Sequence, residues 1–310
     1  MRVNPLDPLY FCWHIGATSM RYVSWLSDFA IRMTCRAHGL TCREKLRRTK
    51  VVVARVESLE TRTLLSAVTW TGGAGTMNWN DPANWSTNDS STPSAADDVS
   101  IGNLGTNPIL IAGAAVNIHS LTSYTAMEIA DTSLTLADTS NFNRLVTVDA
   151  GASLIVQSGT VTLLNGGLSN GNYSVASGAN LDLFGTYNLA ATSSVTGAGT
   201  VDFVGANASV AGSYAITGST FVDYSTVDFT GTVLSVGDTL AISNGSSIAD
   251  FHTASLSVQT LNMAAGTLNA GDVTVSKQFL WNNGTISGAG TLTVQNNGSI
   301  SPNLLLGDDV

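Results

Sequence analysis

A short phrase of alternating polar and apolar residues recurs along most of this chain. It reads Ser133-Leu-Thr-Leu136, Ser153-Leu-Ile-Val156, Thr160-Val-Thr-Leu163, Asn180-Leu-Asp-Leu183, Thr200-Val-Asp-Phe203, Thr226-Val-Asp-Phe229, Thr239-Leu-Ala-Ile242, Ser255-Leu-Ser-Val258, Asp272-Val-Thr-Val275 and Thr291-Leu-Thr-Val294. A period of two marks a strand with one buried face. Gly, Asn, Ser and Asp fill the gaps, and these residues make turns. Strands so short cannot hide their apolar faces singly, whereas stacked turns bury a continuous core of Val, Leu, Ile and Phe. A coil therefore suits the pattern better than a broad sheet, although a compact antiparallel sandwich also uses short alternating strands.

One longer repeat stands out. Val195-Thr-Gly-Ala-Gly-Thr-Val-Asp-Phe203 aligns with Ile286-Ser-Gly-Ala-Gly-Thr-Leu-Thr-Val294 at an offset of 91 residues. About 23 residues per turn would make that offset roughly four turns. Residues 105–300 would then form roughly eight or nine turns, a rod of about 40 Å.

Charge divides the chain in two. Of 13 Lys and Arg, 11 precede Ala67, which leaves residues 1–66 at about +6 once Asp7, Asp28, Glu44, Glu57 and Glu60 are subtracted. The other 244 residues carry Arg144 and Lys277 against 17 acids, and all three cysteines (Cys12, Cys35, Cys42) lie in the basic part. The body carries a single Glu, Glu128, and too few Lys and Arg to coat helices, so a mostly helical fold is not expected. Stacked side chains disfavour like charges, which accounts for so few charged groups. The acidic body speaks against nucleic acid as a partner. No stretch of 18 apolar residues occurs, so no transmembrane helix is expected.

In the basic segment, Arg43-Glu-Lys-Leu-Arg-Arg-Thr-Lys50 precedes Val51-Val-Val-Ala54 and then Val56 to Ala67. The order is that of an export signal, but Arg55 interrupts a short apolar run. An atypical export signal and a disordered basic tail both fit these residues. Leu59-Glu-Thr-Arg-Thr-Leu-Leu-Ser66 resembles the Leu-Glu-x-Arg-x-Leu-Leu-Ser sorting element of large secreted and surface proteins of planctomycete bacteria. That resemblance implies an extracellular or cell-surface location and an export/sorting segment over residues 1–66. The element usually stands closer to the start, so an assigned start too far upstream is expected. Met20 and Met33 are internal methionines, and a start at Met33, leaving residues 1–32 untranslated, would restore the usual spacing.

The run Val68-Thr-Trp-Thr-Gly-Gly-Ala-Gly-Thr-Met-Asn-Trp-Asn-Asp-Pro-Ala-Asn-Trp85, followed by Pro93 and Asp97-Asp-Val-Ser-Ile101, resembles the Trp-rich opening of secreted bacterial β-solenoids. A small independent β-unit is the plainer reading. The Gly-x-Gly-Thr strand phrase resembles the passengers of autotransporters and filamentous adhesins. Together these resemblances imply an all-β fold, a single-stranded right-handed parallel β-helix (β-solenoid). A Trp-rich N-terminal cap would cover residues 67–104 and solenoid repeats residues 105–310, preceded by a non-globular basic segment.

Candidate chemistry is sparse. Gly167-Leu-Ser-Asn-Gly171 has the spacing of a nucleophile elbow, but no helix pattern follows it. His119 and His252 stand far apart in the chain without cysteine or a close second histidine, so each reads as a surface or turn residue. Asp81, Asp89, Asp97 and Asp98 could offer oxygens to Ca²⁺, but in no EF-hand spacing. Arg144 and Lys277, the body's strong bases, have no acidic cluster nearby in sequence, as a β-helix lyase would need. Asp202 and Asp228 hold matching places in two Thr-Val-Asp-Phe phrases and would share a face, a hydrolase-like pair or a repeated surface position.

The expectation is a secreted or cell-surface structural or adhesive solenoid that is not an enzyme, with no catalytic, cofactor or metal residues. An extracellular polysaccharide-binding or polysaccharide-degrading β-helix is the alternative. Partners would be extracellular polysaccharide or cell-envelope components. Ile300-Ser-Pro-Asn-Leu-Leu-Leu-Gly-Asp-Asp-Val310 stops after an apolar run, so an uncapped end that self-associates is expected, unless Leu304–Leu306 fold back as a plug.

Overall fold

The computed structural model describes residues 65–87 and 90–295 and the backbone of the strand Ser299–Pro302. It is all-β apart from one short 3-10 turn, Pro82–Asn84. The named strands pair in parallel wherever they pair, which rules out the antiparallel sandwich. Successive coils form a β-solenoid of about 10 turns.

Three columns of strands build it. Face A runs through Asp97–Ile101, Ser120–Ser123, Ser140–Phe142 and Thr160–Leu163, and later through Ser219–Asp223 and Thr239–Ile242. Face B includes Ile109–Ala112, Met127–Ala130, Val146–Val148, Gly167–Ser169, Thr226–Asp228, Ile248–Asp250, Thr267–Asn269 and Thr285–Ser287. Face C begins with Val116–Ile118 and Ser133–Leu136 and continues to Val233–Val236. The long strands Asn180–Leu189 and Thr200–Val210 bend from face A into face B, with a register shift at the bend between Leu183 and Gly185. Leu256–Met263 bends with a register shift between Val258 and Thr260.

All ten phrases of the sequence contribute strand residues and turn apolar residues inward, the last through half-buried Val294 alone. In Ser133–Leu136 and Thr160–Leu163 buried positions alternate with half-buried ones, whereas Leu292 of the last phrase is exposed. A core of Val, Leu and Ile results, joined by Phe203, Phe229, Phe251 and Tyr214. The rings of Phe229 and Phe251 stack at 4.3 Å and 9°, and Tyr214 meets Phe229 edge-on at 5.1 Å. A buried large side chain contributes about 1.5–3 kcal/mol relative to exposure, and here the gain repeats from coil to coil.

The coil length corrects the sequence estimate. In-register partners on successive coils are Leu256 with Val273 at the shortest spacing, and Asp98 with Ser120 or Thr226 with Ile248 among the longer ones. Apart from the first coil, which carries the tryptophan loop, the coils are thus shorter than the repeat suggested. The 91-residue repeat is not four whole coils. Val195 lies on face C and Ile286 on face B, while Thr200 lies on face A and Leu292 pairs with Val273 on the continuation of face C. What repeats is a corner, the passage from one strand to the next. Gly197 (φ +130°) and Gly288 (φ +128°) show why. A Cβ there would stand 2.0 Å from the Val175 carbonyl oxygen and 1.8 Å from that of Ala270, each on the preceding coil. Glycine alone fits a left-handed backbone at such close approach.

The tryptophan segment belongs to the same solenoid and not to an independent unit. Ser66–Thr69 pairs with residues 97–100 in face A, and Asn78 bridges Leu110 of face B. Trp79 is fully buried and Trp85 nearly so, their rings 4.5 Å apart, and Trp85 also meets Trp70 at 4.8 Å. Trp85 Nε1 donates to the Trp79 carbonyl at 2.8 Å. Buried Asn84 holds the intervening loop by donating to the carbonyls of Thr76 (3.2 Å) and Asn78 (3.1 Å) and accepting from the Ala74 amide (3.0 Å). The Asn-Trp pair thus has a mechanical explanation, one residue pinning the loop and the next filling the core. The expectations about the basic segment before Leu65, and about Leu304–Leu306 and the end of the chain, lie outside the described residues. No described helix is long and apolar enough to cross a membrane.

Candidate functional site

Parallel stacking turns every outward position into a column, so the surface can be read column by column. On face A, Thr160, Asn180, Thr200, Ser219, Thr239, Thr260 and Gln278 follow one another in strict register. On face C the same holds for Ser133, Ser153, Asn172, Ser194 and Ser213, with Ser194 Oγ donating to Asn172 Oδ1 at 2.7 Å. Successive coils in such a column are about 4.8 Å apart. Hydroxyls and amides here form an uncharged, regularly spaced array.

In two other columns carboxylates stand as in-register neighbours on adjacent coils. On face A, Asp182 and Asp202 are in-register neighbours, and Phe221 follows Asp202. Asp202 Oδ1 is buried without a hydrogen-bond partner. Burial first, and then the charges of Asp182 and Asp223, push the Asp202 carboxyl up to about 6. Burial also raises Asp182. On face B, Asp228 and Asp250 are neighbours in the column Ser209, Asp228, Asp250, Asn269. His252 curls back over them: its Nε2 lies 2.6 Å from Asp228 Oδ1 and its Nδ1 3.7 Å from Asp250 Oδ1. Asp250 Oδ1 also accepts from the His252 amide and from Asn269 Nδ2, both at 2.8 Å. His252 has a left-handed backbone (φ +54°). Beside it opens a hollow lined by Phe229, Thr230, Gly231, Phe251 and Thr253.

Asp202 and Asp228 therefore do not share a face, contrary to the sequence expectation. The first lies on face A and the second on face B, because the second phrase falls one strand later within its coil than the first. The true neighbour of Asp228 is Asp250. Ala249-Asp-Phe251 repeats the Val227-Asp-Phe229 pattern, and that likeness was the available signal.

The other candidates are dispersed. Ser169 is buried inside face B and donates to the Gly171 carbonyl at 3.2 Å, so it presents no hydroxyl to a substrate. His119 is half-buried between two coils, with Nδ1 2.7 Å from Asp98 Oδ1 and Nε2 3.6 Å from Asp138 Oδ2. Asp98 accepts from Ser120 Oγ at 2.5 Å as well. The Ser120 bond, followed by that of His119, lowers its carboxyl. Asp97 is held by the Ser94 amide and hydroxyl at 2.6 and 2.8 Å. Asp81 accepts from Thr76 Oγ1 at 3.2 Å, and Asp89 lies outside the described residues. Among the described residues, Asp81, Asp97 and Asp98 do not come together as a set of metal ligands. Arg144 is exposed, and Lys277 donates to Gln259 Oε1, not to a carboxylate.

No protein-family model, curated protein or solved structure matches the chain.

Proposed function

We propose that this chain is a secreted or cell-surface β-solenoid with a structural or adhesive role and no catalytic activity of its own. The observation that carries this reading is the face A column from Thr160 to Gln278, uncharged polar residues in unbroken register. A rigid, evenly spaced array of hydroxyls and amides suits repeated weak contacts to a polymer, where avidity replaces a deep pocket. The sparse charge and the resemblance of residues 59–66 to a sorting element support an extracellular location. Extracellular polysaccharide or cell-envelope polymer is the partner that fits such a surface.

Two measurements test it. Antibody labelling of intact source cells, with and without protease shaving, should detect the chain outside. Incubation of the full chain with acidic and neutral polysaccharides should give retention without product release, whereas turnover at enzymatic rates would overturn the non-catalytic reading. A second reading, a polysaccharide-degrading β-helix, is favoured by Asp202, a carboxyl that keeps its proton to about pH 6 beside a second acid. That reading requires turnover that Asp202→Asn abolishes.

A further inference from the structure

We propose that Asp228, Asp250 and His252 bind one first-row divalent cation, with zinc the best fit, and that the ion ties two consecutive coils together. Ligand atoms of all three side chains lie within 4.8 Å of one another. Two of the residues come from adjacent coils in strict register, so the set exists only because the chain is wound as it is. The inference does not depend on the structural or adhesive reading.

The donor set argues for zinc over calcium. Calcium takes six to eight oxygens, whereas an imidazole with carboxylates suits zinc at about 2.0–2.2 Å from each ligand atom. Two ligand atoms of a tetrahedral zinc ion stand about 3.3–3.6 Å apart, so small side-chain rotations close the set. His252 Nε2 and Asp228 Oδ1, 2.6 Å apart, open slightly to admit the ion. Asp250 Oδ1 is committed to the His252 amide and Asn269, which steadies the carboxylate and leaves its other oxygen for the metal. This second layer orients a ligand, as partners of metal ligands commonly do. Water takes the remaining positions on the side of the adjoining hollow.

Electrostatics gives the site a purpose. Like charges directly opposite on neighbouring strands are destabilising. The His252 hydrogen bond to Asp228 relieves this in part, and a dication held by both carboxylates cancels it. The other acid groupings lack this convergence: Asp182 and Asp202 have no nitrogen ligand in their column. Among the described residues, His119, Asp98 and Asp138 do not bring three ligand atoms together as Asp228, Asp250 and His252 do.

The test uses the full chain, stripped with a chelator and titrated with zinc, with calcium and magnesium as comparators. Because the basic segment holds Cys12, Cys35 and Cys42, the readout must be specific to the residue. Long-range ¹H–¹⁵N spectra of the imidazoles supply it, the His252 resonance being assigned by its loss in His252→Gly. Glycine accepts the left-handed backbone at that position. Zinc should shift the ring nitrogens of His252, and Asp228→Asn should weaken that response at least tenfold. The thermal midpoint of the parent should rise with zinc more than that of either variant. A His252 resonance that zinc leaves unmoved, or an undiminished response in folded Asp228→Asn, would overturn the site. A response to calcium at lower concentration than to zinc would overturn the assignment of the ion.

Discussion

Two pairs of stacked carboxylates, Asp182 with Asp202 on face A and Asp228 with Asp250 on face B, start from the same geometry and end in different surroundings. Both pairs stand in register on adjacent coils. The difference lies in what the column offers next. Asp202 has Phe221 as its next neighbour in the column, a ring that donates no hydrogen bond. One of its oxygens is left orphaned and its carboxyl is pushed up to about 6. Asp250 meets Asn269, which donates to it, and His252 folds over Asp228. In a solenoid the fate of a surface acid is thus decided one coil away, by whatever side chain the winding puts beside it.

The strongest way to break the comparison is to remove what holds the face B pair in register. Phe229→Ala deletes a ring packed against Phe251, Tyr214 and Phe203 and should cost about 3–5 kcal/mol, measured by urea unfolding. A loss under about 1 kcal/mol, far below the usual cost of such a deletion, would mean that the aromatic stack does not set this register.

A smaller effect of opposite sign is expected on face A. A carboxyl raised in the folded state destabilises the fold above that raised value and costs nothing below its ordinary value near 3.8, so stability should fall as pH rises from about 4 to about 6. Asp202→Asn should remove that slope and stabilise the chain at pH 8 by about 1 kcal/mol, the full shift being discounted for partial exposure. Urea midpoints at pH 4 and pH 8 check both parts. Phe221→Asn, which offers the missing donor, should move the Asp202 titration downward, as read from side-chain ¹³C shifts. An unmoved titration would show that Phe221 is not the cause.

The smallest effect sharpens the contrast. Asp228→Asn removes the negative charge 2.6 Å from His252, leaving at most an amide oxygen to accept, and should destabilise the metal-free chain by about 0.5 kcal/mol, the scale of an exposed pair. The sign is the test: stabilisation, as on face A, would show that His252 does not relieve the acid pair.

Most of the fold was legible in the alternation of residues such as Ser153-Leu-Ile-Val156, because a strand's period of two survives any arrangement of its neighbours. The burial of Trp79 and Trp85 follows from their large apolar rings, but the buried Asn84 that pins their loop was not legible. The candidate site was not. Asp228 was matched to Asp202 through their shared Thr-Val-Asp-Phe wording, whereas its column partner Asp250 sits in Ile248-Ala-Asp-Phe251. Corners vary in length, and each added or missing residue changes the phase of every column after it.

The sequence by itself determined that the chain forms short strands with one apolar face, turned at glycines such as Gly197 and Gly288, since both follow from local sterics and local hydropathy. The winding decided everything that depends on phase: that Val195 and Ile286 lie on different faces, that Asp202 faces a phenylalanine, and that Asp228, Asp250 and His252 converge. Those relations connect residues a full coil apart, and their register is set by the sum of the turn lengths between them and by the close packing of the core, which no local stretch of sequence contains.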